Sequence, residues 1–133
     1  MSDEVAWSRL VAARVGRFAT TAPRIVPVTF AAAGGTLYHA VDHKPKATRA
    51  LARLDDLRRD ARASLLVDRY DEDWSALWWV RADGRARILE DGFDDALDLL
   101  AAKYPQYAER RPDGPVIALD VERVVSWSAA TPG

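Results

Sequence analysis

The chain has 133 residues, 49% of them hydrophobic and 29% charged, with a formal net charge of -1 and a pI near 6.1. This length suits a single domain spanning residues 1–133, and the balanced charge excludes an electrostatic nucleic-acid binder, which carries a strong basic excess. Zero cysteines exclude disulfides, thiolate metal sites and thiol catalysis, and no apolar run approaches the ~18 residues of a membrane span.

Two skews stand out. Sixteen of the nineteen basic residues are arginine, leaving Lys44, Lys46 and Lys103, and there are five tryptophans. The start, Ser2-Asp3-Glu4, is acidic where a signal peptide is basic, so a cytoplasmic protein is expected. It also suits a helix N-terminus, and Trp7, Leu10, Val11 and Val15 follow at helical spacing, predicting a first helix that ends near Gly16. Residues 17–21, 24–31 and 36–42, separated by Ala22-Pro23 and Gly34-Gly35, read as a meander of three strands. In the second of these, Val26, Val28 and Phe30 share one face, with Ile25, Pro27 and Thr29 on the other.

His43-Lys44-Pro45-Lys46-Ala47 interrupts the pattern, and Thr48 is placed to cap a helix carrying Leu51, Leu54 and Arg58. Residues 61–69 return to strand, and Asp71-Glu72-Asp73 is an acidic turn. From Trp74 to Leu89 the even positions, including Trp78, Val80, Ala82, Gly84 and Ala86, are apolar or glycine, while odd positions carry Trp79, Arg81, Asp83, Arg85 and Arg87. That alternation predicts one long strand, or two joined by a bend at Asp83-Gly84. Phe93, Ala96, Leu97, Leu100, Ala101 and Tyr104 mark a helix face with Pro105 just beyond, and Lys103 reads as an ordinary charge at its C-terminal end. Beyond the polar stretch 110–115, residues 116–128 form the closing strand, with Ile117, Leu119, Val121, Val125 and Trp127 expected on one face. Meanders with few helices favour a small antiparallel barrel over a parallel doubly wound sheet.

Chemistry is concentrated in two places. Lys44 and Lys46, with Arg49, stand between a strand end and a helix start, where backbone N–H groups also favour anions, so the segment is either a phosphate or carboxylate site or a solvated basic loop. Trp78 and Trp79 point to opposite faces; Trp78 falls to the core, and Trp79, among arginines, needs cover from a ligand ring, a partner subunit or a helix. His39 and His43 lie among cations and lack further ligands, so no metal site is expected. A GxSxG nucleophile turn, GxGxxG and GxxxxGK[ST] are all missing, which removes hydrolase, Rossmann and P-loop readings.

The residues Gly16-Arg17-Phe18-Ala19-Thr20, Arg24 to Phe30, Leu37 to Asp42 followed by Lys44-Pro45-Lys46 and Arg49-Ala50-Leu51, Ala61 to Asp68, Asp73-Trp74 and Trp78 to Ala86 occur in an order that resembles the pyridoxamine 5'-phosphate oxidase-like flavin and deazaflavin oxidoreductases, over residues 5 to 128. The resemblance implies a mainly β fold with flanking helices (α+β), an antiparallel split β-barrel like that of FMN-binding proteins. It also implies a homodimer with cofactor sites between the subunits. It assigns Pro27, Val28, Thr29 and Ala40 to the cofactor ring and Lys44, Lys46 and Arg49 to its phosphate. It further implies that Trp79 of the other subunit, with Trp74 nearby, closes the site. Arg24 to Phe30 lacks the lysine of the oxidases' R-x-V-L-L-K strand, and Trp79 replaces the glutamine of their R-Q-V-R segment. The pattern is therefore similar to the coenzyme F420-dependent branch. The resemblance implies hydride transfer from that deazaflavin to a small unsaturated or electrophilic molecule, with no side chain nominated as catalytic; FMN is the alternative cofactor, and a protein that binds a flavin, deazaflavin or tetrapyrrole without turnover is the non-enzymatic alternative.

Overall fold

The computed structural model describes residues 1–41 and 47–130, and for residues 47–51 it describes the backbone alone. In chain order the elements are α1 (Asp3–Ala12), β1 (Gly16–Thr20), β2 (Arg24–Val28), β3 (Ala31–Ala33), β4 (Thr36–Ala40), α2 (Ala47–Arg59), β5 (Arg62–Arg69), a single 3-10 turn (Trp74–Ala76), β6 (Trp78–Leu89), α3 (Asp94–Lys103), α4 (Pro105–Glu109) and β7 (Val116–Ser128). All pairings are antiparallel and give one seven-stranded sheet in the order β2-β1-β5-β6-β7-β4-β3. This is the expected mainly β, antiparallel split barrel with flanking helices. No helix among the described residues is long and apolar enough to cross a membrane.

The inner face of the curled sheet carries the main core. Phe18, Val28, Leu65, Val67, Val80, Ala82, Ile117 and Leu119 meet Ala6 and Leu10 of α1 and Leu54 and Leu57 of α2. Each large side chain buried there contributes about 1.5–3 kcal/mol by removal from water. A second cluster joins Ala31 and Ala40 of β3 and β4 to Ala96, Leu97 and Leu100 of α3 and to Tyr104 just beyond its end.

Several local expectations change. The predicted strand 24–31 divides at Thr29-Phe30, because β2 and β3 occupy opposite ends of the sheet and the chain crosses between them. Its alternation still holds: Val28 and Phe30 are buried, and Ile25 is exposed. The first helix stops at Ala12, leaving Val15 outside it and exposed. Thr48 lies within α2 rather than capping it. Pro105 ends α3 but opens α4 at its first position, where a missing N–H costs nothing.

The closing strand departs most. A β-bulge opposite Asp83/Gly84 inserts Glu122 between Val121, which pairs with Gly84, and Arg123, which pairs with Asp83. The extra residue reverses the alternation. Ile117, Leu119 and Val121 face inward and Val124 continues the inward row, so Val125 and Trp127 turn outward, against the single face expected for all five. Gly84 is required at this point, since a Cβ there would overlap the Asp120 carbonyl oxygen.

Candidate functional site

Residues directly opposite one another in a sheet project to the same side. The register Pro27↔Arg17, Arg17↔Leu66, Leu66↔Arg81 and Arg81↔Val125 therefore defines a row across the outer face, and Asp68↔Trp79↔Trp127 defines the neighbouring one. Between them lies a hollow of about 430 Å³ lined by Leu66, Tyr70, Leu77, Trp78, Trp79 and Trp127, with Asp68, Arg69 and Arg81 around it. Its volume falls within the range of small-molecule sites, roughly 300–1,000 Å³.

The two adjacent tryptophans divide as the alternation requires. Trp78 packs against the inner core with the Arg9 guanidinium 4.9 Å from its ring centre, and its edge also reaches the hollow. Trp79 stands on the outer face, directly across from Trp127, which is 45% exposed. Sequence reasoning missed Trp127 because the bulge inverts it. The available signal was the glycine inside an otherwise regular strand, a common mark of a bulge.

The outer face is also organised by charge. Asp83 accepts hydrogen bonds from Ser64 at 2.7 Å, from Arg81 at 2.8 Å and from Arg123 at 2.9 Å. Burial alone would raise its pKa, but these donors from Arg81, Ser64 and Arg123 outweigh it and hold the carboxyl at about 2. Asp68 pairs with Arg17 at 2.7 Å, and Arg69 with Asp71 at 3.1 Å.

The other candidate residues are distributed differently. Pro27 is exposed on the outer face, three strands and roughly 14 Å from Trp79 along the sheet. Val28 points inward and is buried, so its side chain belongs to the core. The Thr29 hydroxyl lies 2.9 Å from that of Tyr107 on α4. Ala40 is buried against α3. Trp74 is 68% exposed on the 3-10 turn and does not line the hollow. Arg49 falls in the first turns of α2, where its backbone alone is described, and Lys44, Lys46 and His43 lie outside the described residues. One chain therefore joins Trp79 and Pro27 on a common face but keeps Thr29 and Ala40 near α3 and α4.

Lys103, expected to be an ordinary helix-end charge, instead donates to three carbonyl oxygens, of Val11 at 3.0 Å, Ala13 at 2.7 Å and Phe30 at 2.8 Å. Its ammonium also lies 4.3 Å from the Phe30 ring centre. Burial, with the nearby Arg14, lowers its pKa to about 8. Tyr104 completes the arrangement: its hydroxyl accepts from the Phe30 N–H at 3.1 Å and has the carbonyls of Arg14 and Phe30 at 2.9 and 3.0 Å as acceptors. Together these residues fix the crossing from β2 to β3. His39 is buried against Phe18 with its Nε2 unpaired, and burial, aided by Arg53, lowers its pKa to about 3, so it is neutral near pH 7.

Comparison with known proteins adds the decisive observation: the sequence profile described as pyridoxamine 5'-phosphate oxidase matches residues 5–128. The chain belongs to this family. Solved structures agree on the fold. A conserved hypothetical protein from Mycobacterium tuberculosis superposes with a TM-score of 0.75 at 21% identity, covering 97% of this chain and 86% of that one. An FAD-binding protein from Mesorhizobium loti gives 0.70 at 24% identity, over 95% and 94% of the two chains. Another FAD-binding protein, from Mycobacterium smegmatis, gives 0.61 at 20% identity, over 96% of each. No curated protein matches the chain.

Proposed function

We propose that this chain is an oxidoreductase that uses coenzyme F420, bound between two copies of the chain, to transfer a hydride to a small unsaturated or electrophilic molecule. The observation that carries the reading is the outer-face hollow beside Trp79, an aromatic wall left open on an otherwise ion-paired sheet. A flat tricyclic ring fits such a wall, since aromatic faces stack well against one another. When bound, the deazaflavin supplies the hydride-transfer chemistry from its C5, and the protein supplies binding and orientation.

The residues then divide the work between two subunits. Pro27, Val28, Thr29 and Ala40 of one copy border the ring, Val28 and Ala40 through their backbone because their side chains are buried. Lys44, Lys46 and Arg49 hold the anionic tail through charge-assisted hydrogen bonds. Trp79 from the second copy covers the ring, with Trp74 at the margin. The pairing of copies is supported by the exposed outer face itself, where Ile25 is 68% exposed and Trp127 remains open, because apolar groups gathered on one face mark an interaction surface.

A second reading keeps the site and exchanges the cofactor for a flavin. It is favoured by the two similar proteins named as FAD-binding. Titrating the purified protein with coenzyme F420, FMN and FAD, followed by cofactor fluorescence, separates the readings. Tightest binding of F420 supports the deazaflavin assignment, tightest binding of FMN or FAD replaces it with the flavin reading, and binding of none overturns both.

A further inference from the structure

His39 of β4 is a titratable group sealed inside the fold: it is 1% exposed, and its Nε2 has no hydrogen-bond partner. Apolar residues meet it from the sheet. The Phe18 ring of β1 lies 4.6 Å away, centre to centre, and the buried Ile117 of β7 stands directly opposite. From α2, Arg53, whose Nε is also buried, brings a cation to the imidazole, and among the described residues no carboxylate offsets it. A proton on Nε2 therefore creates a buried imidazolium beside a guanidinium, with no acceptor for the new N–H, and both features are unfavourable. About one turn further along α2 the helix has a second attachment. Asp56, also buried, accepts from the Thr20 hydroxyl at 2.9 Å and from Arg24 Nε at 2.7 Å. Arg24 and Thr20 hold the Asp56 carboxyl below its ordinary range, so this attachment persists in mild acid.

We propose that His39 and Arg53 form an acid-sensitive lock on the first half of α2, which stays docked while the imidazole is neutral and is released when the imidazole takes a proton. The end held by Asp56 remains in place as the hinge. Burial, and then Arg53, set the folded pKa of His39 at about 3 against an ordinary 6.5. The open form therefore binds the proton more tightly than the docked one. The lock is fully closed above pH 6.5 and weakens as the pH falls from 6.5 toward 3. Opening also loosens the start of α2 around an anionic cofactor tail; that consequence rests on the proposed placement of the tail there, whereas the lock itself does not.

The test is amide hydrogen exchange of the whole protein at pH 7 and pH 5, corrected for the intrinsic pH dependence of exchange. Protection in residues 52–55 is expected to fall at least about tenfold at pH 5 and to stay below that of β5, while in His39→Leu it changes by less than about twofold. His39→Gln serves if the leucine variant does not fold. Arg53→Gln, which removes the facing charge, is expected to at least halve the fall. Protection that does not respond to pH in the parent, or that falls equally in the His39 variant, overturns the proposal. So does equal protection of α2 and β5 at both pH values, because the whole chain then opens as one. Release of bound coenzyme F420 after dilution, followed by fluorescence, should quicken at least about tenfold from pH 7 to pH 5 in the parent and not in the His39 variant. Equal acceleration in both overturns the link between the lock and the site. If no cofactor binds but the exchange results hold, the cofactor reading fails and the lock stands.

Discussion

The two sides of the sheet solve opposite problems. Where β2 crosses to β3, Lys103, Tyr104 and Tyr107 close on Thr29 and Phe30, so that backbone groups beside the core gain side-chain partners. On the outer face the polar groups are paired too, but with one another, and among the described residues Trp127 stays exposed while Trp79 beside it is half-buried along the hollow. Satisfied polar groups around buried apolar ones stabilise a fold; an aromatic surface left open in a chain that could have buried it marks a place for another molecule. Changes on the clamped side are therefore expected to lower stability, and changes on the open side to lower binding.

The largest effect is expected from Gly84→Val. The added Cβ overlaps the Asp120 carbonyl oxygen, so the bulge must open, with a loss of about 3 kcal/mol or more in denaturant unfolding. An unchanged midpoint would show that the bulge does not constrain β6 and β7. Next comes Lys103→Met, which leaves the carbonyls of Val11, Ala13 and Phe30 without their ammonium donor. About 2 kcal/mol should be lost, with little change in cofactor affinity relative to Trp79→Ala; a change confined to affinity would reverse the roles given to the two regions.

Asp83 gives the comparison a pH dependence. Its folded pKa, about 2, lies below the ordinary carboxylate value of 3.8, so its contribution to stability is present above pH 4 and is lost as the pH falls toward 2. Asp83→Asn should flatten the unfolding midpoint over this interval, and an unchanged acid slope would remove Asp83 as the organising carboxylate of the outer face. The smallest effects belong to the exposed tryptophans. Trp127→Ala should cost less than about 1 kcal/mol in stability, its main consequence being on binding. Trp74→Ala, outside the hollow, should alter cofactor affinity by only about twofold, as expected for a marginal contact.

Much of this was legible in the residues. The strict alternation of β6 separates Trp78 from Trp79, and the spacing of Phe93, Ala96, Leu97, Leu100 and Tyr104 fixes α3, because period and burial agree in both segments. The order of motifs also identified the family later matched over residues 5–128. What stayed hidden depends on distant partners. Trp127 reads as inward until Glu122 is known to be the extra residue of a bulge, and that is settled only by pairing with β6. Lys103 looks like a helix-end charge until α1 and the β2–β3 crossing are brought to it across the fold. The split of residues 24–31 follows from strand order, which local alternation does not encode. For the candidate site, Trp79 was readable from its own strand, whereas the hollow around it required β5, β6 and β7 together.

The central claim is that each cofactor site draws its anionic grip from one copy and its aromatic cover from the other. Mixing Trp79→Ala protein with Lys44→Ala/Lys46→Ala protein under conditions that exchange subunits tests it directly. If the two parts come from different copies, each mixed dimer contains one site with both lesions and one with none. Titration with coenzyme F420 should then recover a high-affinity class absent from either variant alone, each of which is expected to bind about tenfold or more weakly. If Trp79 and the lysines serve the same site within one chain, every site in the mixture carries a lesion, and a mixture that regains no high-affinity binding contradicts the account.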